Sequence, residues 1–420
     1  MRLGPLMTTQ TPGARPAFND RMTVRTASRA GTSGQAIDVQ IAFTGLSQSE
    51  YVSDPMNDRA VFRWLVTTSF AVVVALVVGG ITRLTESGLS ITEWRPVSGV
   101  FPPLTAAEWT NAYQSYLQIP EAQTVHKGIS LSAFKTLYWW EWMHRMLGRL
   151  VGLVIAVPFF VLHFRKQIHP RLRLRLASLP ILVAMQGVLG WYMVKSGLTG
   201  RSDVSQYRLV AHLGLALLIY VIATWTAMSL VSGRPVHTAH GPHRTPADRT
   251  GIAVASLAFI TILSGGFVAG LDAGHVFNTF PLMGGQVVPA GYGQLAPFWR
   301  NWFENAGAAQ FNHRLLAVLT MLVALAASLR RSAAASDPKT QRAWRLVGAT
   351  ALIQFGLGIA TLLLAVPIAV AALHQLGAVA LVTAAMWACF TVRAPYASPV
   401  TASRLVPRTS ATTPETTADA

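Results

Sequence analysis

The sequence predicts an all-α membrane protein of eight transmembrane helices, arranged as two pseudo-symmetric four-helix bundles. Three observations predict it. Of 420 residues, 52% are hydrophobic and 12% charged, about half the ~25% charged share usual in a soluble domain. Eight apolar stretches follow a polar N-terminal segment, most of them near the ~20 residues that a spanning helix needs. The first four stretches also match the last four, in order and motif by motif.

Charge and cysteine content narrow the function classes. A formal net charge of +17 would raise nucleic acid as a partner for a soluble chain. Here Lys and Arg gather in alternate loops, so the expected partner is the lipid bilayer and no nucleic acid. The single cysteine, Cys389, lies deep in an apolar stretch. It excludes an internal disulfide and a thiolate metal cluster, which leaves histidine as the leading metal ligand.

Residues 1–58 are rich in Arg, Thr, Ser and Gly, with few acids and no sustained apolar run. That is not a secretory signal; it fits a disordered cytoplasmic tail or a transit peptide, and we favour the tail. The spans are expected at about 61–80, 137–162, 174–194, 207–231, 251–270, 308–329, 346–366 and 369–391. The loops at 163–175, 232–250 and 330–345 are basic, and each follows an even-numbered span. The positive-inside rule puts them, and both termini, in the cytoplasm. A bacterial cell inner membrane is expected, with the mitochondrial inner membrane as the alternative. The long segments 81–136 and 271–306 then face outward and are read as structured caps. The first holds Pro102 and Pro103 and an expected short amphipathic helix over Ala106–Leu117. The domain organisation is a tail (1–58), an N-terminal four-helix half (59–231), a C-terminal four-helix half (251–392) and a disordered tail (393–420).

The internal repeat carries the functional reading. VVGGITRLTESG (77–88) matches LSGGFVAGLDAG (263–274). EWMHRMLGRLVGL (141–153) matches QFNHRLLAVLTML (310–322), QGVLGWYMV (186–194) matches QFGLGIATL (354–362), and VAHLGLALL (210–218) matches ALHQLGAVAL (372–381). All eight spans keep the same in/out sense in both halves, so the repeat is parallel, about an axis along the membrane normal. It aligns His144 with His313 and His212 with His374. A lone buried histidine is ordinarily a satisfied core residue; four at matched positions, two per half, point to ligation. His163, His169, His237, His240 and His243 fall in the basic loops, and His126 and His275 in the outer segments. These seven are read as solvated.

Zinc needs three or four protein ligands, and no supporting carboxylate or thiolate recurs in both halves. Haem iron takes two axial ligands from opposite faces, histidine being a common one, and a flat macrocycle fits inside a four-helix bundle. Gly187, Gly190 and Gly214 in one half, and Gly356, Gly358 and Gly377 in the other, permit close backbone approach; helix packing explains them equally well. Arg145 and Arg314 each follow a candidate ligand and are placed to pair with haem propionates, with interfacial snorkelling the plain alternative. The halves differ at one telling position: Glu141 is matched by Gln310. An ionisable residue at membrane depth is by default functional, so the first half is expected to do chemistry and the second to store or pass electrons. Structural pairing with an arginine is the other reading of Glu141.

The stretches VVGGITRLTESGLSITEWRPVSGVFPPL (77–104), YWWEWMHRMLGR (138–149) and the HR of QFNHR (310–314) resemble the haem A synthase family, in its alphaproteobacterial and mitochondrial form. The resemblance spans about 60–392. It implies an oxidoreductase that converts the C8 methyl group of haem O to a formyl group, giving haem A for cytochrome c oxidase. It implies that the positions of His144 and His212 bind the substrate haem, that those of His313 and His374 bind a haem b cofactor, and that Glu141 is catalytic. The cysteine pair found in an outer loop of another subtype is missing here. A di-haem electron-transfer cytochrome and a transporter are the rival readings. The first does not explain the Glu141/Gln310 difference, and the second does not explain histidines gathered near one face. Direct docking of a haem O synthase and assembly into a homo-oligomer stay open.

Overall fold

The computed structural model describes residues 55–95, 98–198, 204–232 and 246–391. Most of the expected N-terminal tail, the C-terminal tail beyond 391, and His237, His240 and His243 lie outside these residues. Among the described residues the regular structure is helical, apart from one isolated bridge between Met283 and Gln286.

The chain begins with α1 (Pro55–Leu84), then a 3-10 turn (Ser98–Val100), α2 (Ala106–Leu117) and α3 (Pro120–Thr124). Next come α4 (Leu131–Phe164), α5 (Pro170–Gly197), α6 (Gln206–Ser232) and α7 (Pro246–Gly270). Two 3-10 turns (Ala273–His275 and Phe298–Arg300) lead to α8 (Asn301–Glu304), α9 (Ala306–Ala334), α10 (Pro338–Leu363) and α11 (Ile368–Thr391). Eight of these helices, α1, α4–α7 and α9–α11, are long and apolar enough to cross a membrane.

The helices overrun the apolar stretches because polar caps, not apolarity, set their ends. At α4 the Ser130 side chain accepts from Ala133 N–H, so the helix opens at Leu131, six residues before the expected start at 137. At α10 the Asp337 carboxylate accepts from Thr340 N–H, and Pro338 sits in the first turn, where its missing N–H costs nothing. The end of α10 departs the other way: it stops at Leu363 rather than 366, because Ala365 and Val366 take left-handed φ values of 56° and 59°. That tight reversal delivers the chain into α11, and an apolar run cannot report it.

Helix α1 packs on α4, α4 on α5, α5 on α6, and α6 back on α1, closing one ring of four. Helices α7, α9, α10 and α11 close a second ring in the corresponding order. The rings share contacts through α6 with α7, α1 with α11, and α6 with α11. One buried cluster runs through both rings and includes Leu65, Ile155, Leu176, Leu217, Ile219 and Trp344. Lipid offers no hydrophobic drive between helices, so close packing of small residues must hold them. Gly251 shows it: a Cβ there would meet the Ala385 carbonyl at 3.1 Å. Large apolar side chains such as Phe70, Leu153, Phe160 and Ile353 point outward, as a lipid-facing surface requires.

The segment between α1 and α4 folds as a cap. Helix α2 is the helix expected from sequence, opened by a capping box in which Thr105 and Glu108 satisfy each other's backbone N–H groups. Trp109, Tyr116, Phe134 and Tyr138 form a second buried cluster that seats it on α4. Within the cap, Tyr116 Oη lies 2.6 Å from His126 Nδ1 and donates to Glu121 Oε1 at 3.4 Å. His126 is therefore not the solvated loop residue expected from sequence; it is part-buried, and burial lowers its pKa.

Burial, reinforced by the charges of Glu141 and Glu86, pushes the Glu121 carboxyl up to about 8, with the Tyr116 hydrogen bond and then Arg83 opposing. The folded cap thus holds a proton that the unfolded chain releases in the ordinary carboxylate range. Between those two values the folded state binds more protons, so cap stability falls as pH rises, and the loss is complete above the folded pKa. Amide exchange in α2 and α3 is expected to lose protection as pH rises from about 5 to about 8 and to change no further above it, after correction for intrinsic rates. Glu121→Gln should flatten that dependence. An equal dependence in the variant would contradict the assignment.

Candidate functional site

Helices α4, α6, α9 and α11 all run from the capped end of the molecule, and each carries one of the four candidate ligands. His212, His313 and His374 lie in the second turn of their helices, whereas His144 lies deeper, since α4 starts early and projects into the cap. All four are half-buried. His144 on α4 and His212 on α6 belong to one ring of helices, and His313 on α9 and His374 on α11 to the other. The imidazoles are therefore shared two and two between the rings.

Each imidazole lies against a glycine of a neighbouring helix. A Cβ on Gly79 would come within 2.7 Å of His144 Cε1, and one on Gly190 within 3.2 Å of His212 Cε1. On Gly265 it would lie 3.0 Å from His313 Cε1, and on Gly358 2.9 Å from His374 Cε1. Of the six glycines singled out from sequence, Gly190 and Gly358 serve this purpose. Gly187 and Gly356 have open space before them, Gly214 faces Leu263, and Gly377 faces the Gln354 side chain. Gly79 and Gly265 were missed, although the aligned GG pairs of the repeat contained them.

Glu141 is only 2% exposed, yet fully partnered. Its Oε2 accepts from Ser90 Oγ at 2.8 Å and Ile91 N–H at 2.6 Å, and its Oε1 from Arg145 Nε at 3.0 Å and Nη2 at 2.5 Å. Two guanidinium nitrogens thus converge on one oxygen, and hydrogen bonds between ionisable partners of opposite charge are the stronger ones. Arg145 also donates to the carbonyls of Ile91 at 2.7 Å and Glu93 at 3.0 Å. Arg314 makes the matching contacts, to the carbonyls of Phe277 at 2.7 Å and Thr279 at 2.8 Å. Each arginine thus pins the segment that leaves the first helix of its ring. Every nitrogen of Arg145 is engaged within the protein, while Arg314 Nε is buried without a partner. Gln310, where Glu141 has its counterpart, donates from Nε2 to the Phe277 carbonyl at 3.1 Å.

The remaining ring nitrogens divide. His313 Nδ1 lies 2.8 Å from Ser264 Oγ, and His374 Nδ1 lies 3.0 Å from Gln354 Nε2. His144 Nδ1 and His212 Nδ1 are buried without a hydrogen-bond partner. Gln186 and Gln354 were aligned by the repeat but given no role from sequence; Ser264 carried no signal beyond its place in the repeat, and Ser90 none beyond its place in the 77–104 stretch.

This donor set suits a group that needs two protein ligands. Among the described residues no three His, Cys, Asp or Glu side chains converge to hold a bare metal ion. Two imidazoles per ring of helices, each with its Cε1 edge against a glycine backbone, fit an iron porphyrin with bis-histidine ligation.

The fold and these residues define a polytopic membrane protein with paired histidines in each of two helix quartets. Residues 62–386 match the model of the COX15-CtaA family, cytochrome oxidase assembly proteins, and the chain belongs to that family. It is 45% identical over 333 residues to the haem A synthase of Parvibaculum lavamentivorans, covering 79% of this chain and 94% of that protein. It is 43% identical over 333 residues to that of Nitrosomonas eutropha, with the same shares of 79% and 94%. The haem A synthase of Rhizobium meliloti is 45% identical over 329 residues, 77% of this chain and 87% of that one.

Gly358→Ala should drive the His374 ring from its place and weaken haemin binding by about tenfold or more. Gly356→Ala, facing open space, should leave it unchanged. Equal titrations for both variants would show that the close approach has no bearing on the ring.

Proposed function

We infer that this chain is a haem A synthase: it oxidises the C8 methyl group of haem O to a formyl group, and the haem A formed serves cytochrome oxidase. Membership of the family together with four histidines in two couples carries the reading. We assign His144 and His212 to the substrate haem, and His313 and His374 to a haem b cofactor. The two halves then derive from one duplicated four-helix unit, lying in a bacterial inner membrane with the histidine end and the caps outward.

The iron porphyrins supply the oxidising chemistry, and the protein supplies binding, orientation and charge. The four imidazoles would hold the porphyrin irons. Removing a hydride equivalent from a methyl carbon leaves positive charge there for water to add to, with the electrons passed on through the bound porphyrins, and a fixed carboxylate is the group that lowers the cost. Glu141 is that group in the N-terminal half; it can also take a proton. Its bond to Arg145 holds it in place, and through Ser90 and Ile91 it holds the adjoining segment over the site. Gln310 offers no such charge, which suits a half that only carries electrons. For the propionates, Arg314 with its unpartnered Nε is the better candidate, and Arg145 contributes mainly through Glu141.

Glu141→Gln is expected to retain bound haem, since Gln310 shows that an amide is accommodated at the matching position. Its haem A yield, measured by mass analysis of extracted haems, should fall by about 100-fold or more. A normal yield would refute the role of the carboxylate.

A further inference from the structure

We propose that Ser264 and Gln354 are positioning residues that make the His313/His374 couple a permanent holder of its haem, and that missing counterparts leave the His144/His212 couple exchangeable. This rests on the reading that the four histidines ligate haem iron, and it explains which haem stays and which one comes and goes.

Ser264 fixes the tautomer of His313. Its hydroxyl donates to the Thr261 carbonyl at 2.7 Å. A serine has one hydroxyl proton, so toward His313 Nδ1, 2.8 Å away, Ser264 Oγ accepts. The ring proton is therefore on Nδ1, and the Nε2 lone pair is left free for iron. Gln354 acts alike on His374. The two ends of its amide are interchangeable within the same envelope. With the oxygen toward the ring, at the 3.0 Å separation seen, Nδ1–H donates to it and Nε2 is again bare. A ligating imidazole whose other nitrogen donates a hydrogen bond is held in orientation and is a more basic ligand.

Neither device exists in the first half. The repeat that aligns Gly79 with Gly265 places Val78 where Ser264 stands, and valine has no hydroxyl. The Ala75 carbonyl faces the His144 ring as the Thr261 carbonyl faces His313, but His144 Nδ1 forms no hydrogen bond. Gln186 occupies the place of Gln354, yet its Nε2 donates to the backbone carbonyl of His212 at 3.0 Å, and its Oε1 has no partner. His212 Nδ1 is likewise alone. Neither residue has a side-chain partner at Nδ1, so both are less firmly oriented ligands than His313 and His374. A substrate haem must enter and its product must leave; a cofactor haem must do neither.

The test uses the full chain purified with its haems, challenged with excess apomyoglobin as a haem acceptor. Haem b and haem O or A are told apart by mass. Ser264→Val, which copies Val78, should speed loss of haem b by about tenfold or more and raise its midpoint potential. Ser264→Ala should do the same, and Ser264→Thr, which keeps the hydroxyl, should restore both readouts. Val78→Ser should slow loss of haem O and haem A. Retention of haem b at the wild-type rate and potential in Ser264→Val and Ser264→Ala would overturn the proposal. His313→Ala separates the two levels: if it loses haem b while the Ser264 variants behave as wild type, only this inference fails. If it keeps haem b, the ligand reading itself fails.

Discussion

The contact between an imidazole edge and a glycine backbone, made four times, is the constraint on which the site depends. Helices bearing Gly79, Gly190, Gly265 and Gly358 approach the histidine-bearing helices so closely that a single added methyl group would collide with the ring in two cases, at Gly79 and Gly358, and crowd it in the other two. In a membrane, where apolar burial gives no net drive between helices, such close backbone approach both holds the helices together and sets side-chain direction. Helix packing and ligand orientation are thus one interaction, and the alternatives weighed for these glycines are not exclusive.

Above that frame the two quartets share a second device. Arg145 and Arg314 hook the two carbonyls of the segment that leaves α1 or α7, fixing the floor of the cap over each couple. Differences are laid onto this common plan sparingly. Glu141 against Gln310 places one buried charge in one half only, and Ser264 against Val78 places one ring-anchoring hydroxyl in the other. Arg83 and Asp272, 2.7 Å apart, tie the end of α1 to the turn after α7, so the segments over the two couples are linked directly.

Much of this was legible in the chain. Length and apolarity located all eight spans, and alignment of HR with HR and of the GG pairs placed four histidines at comparable positions. The helix ends were not legible, because they are set by single caps such as Ser130 and Asp337 and by the left-handed reversal at Ala365 and Val366. His126 misled for a related reason: a polar residue in a loop reads as solvated, and only the packing of Tyr116 and Phe134 shows the loop to be a cap with its own core. For Glu141, sequence offered a functional charge or an arginine partner. The structure gives it the arginine, with Ser90 and Ile91 besides. Spacing along one helix could bring Glu141 and Arg145 together, but not the segment from 90 to 93. Gln186 and Gln354 show the limit of alignment itself, since matched residues take different partners.

The central claim is that two histidine couples hold two different haems. The most direct measurement is the mass and amount of haem bound to two purified double variants, His144→Ala/His212→Ala and His313→Ala/His374→Ala. The account predicts that the first retains haem b and carries no haem O or haem A, and that the second loses haem b. The same haem content in both variants, or haem O and haem A persisting in the first, would contradict it.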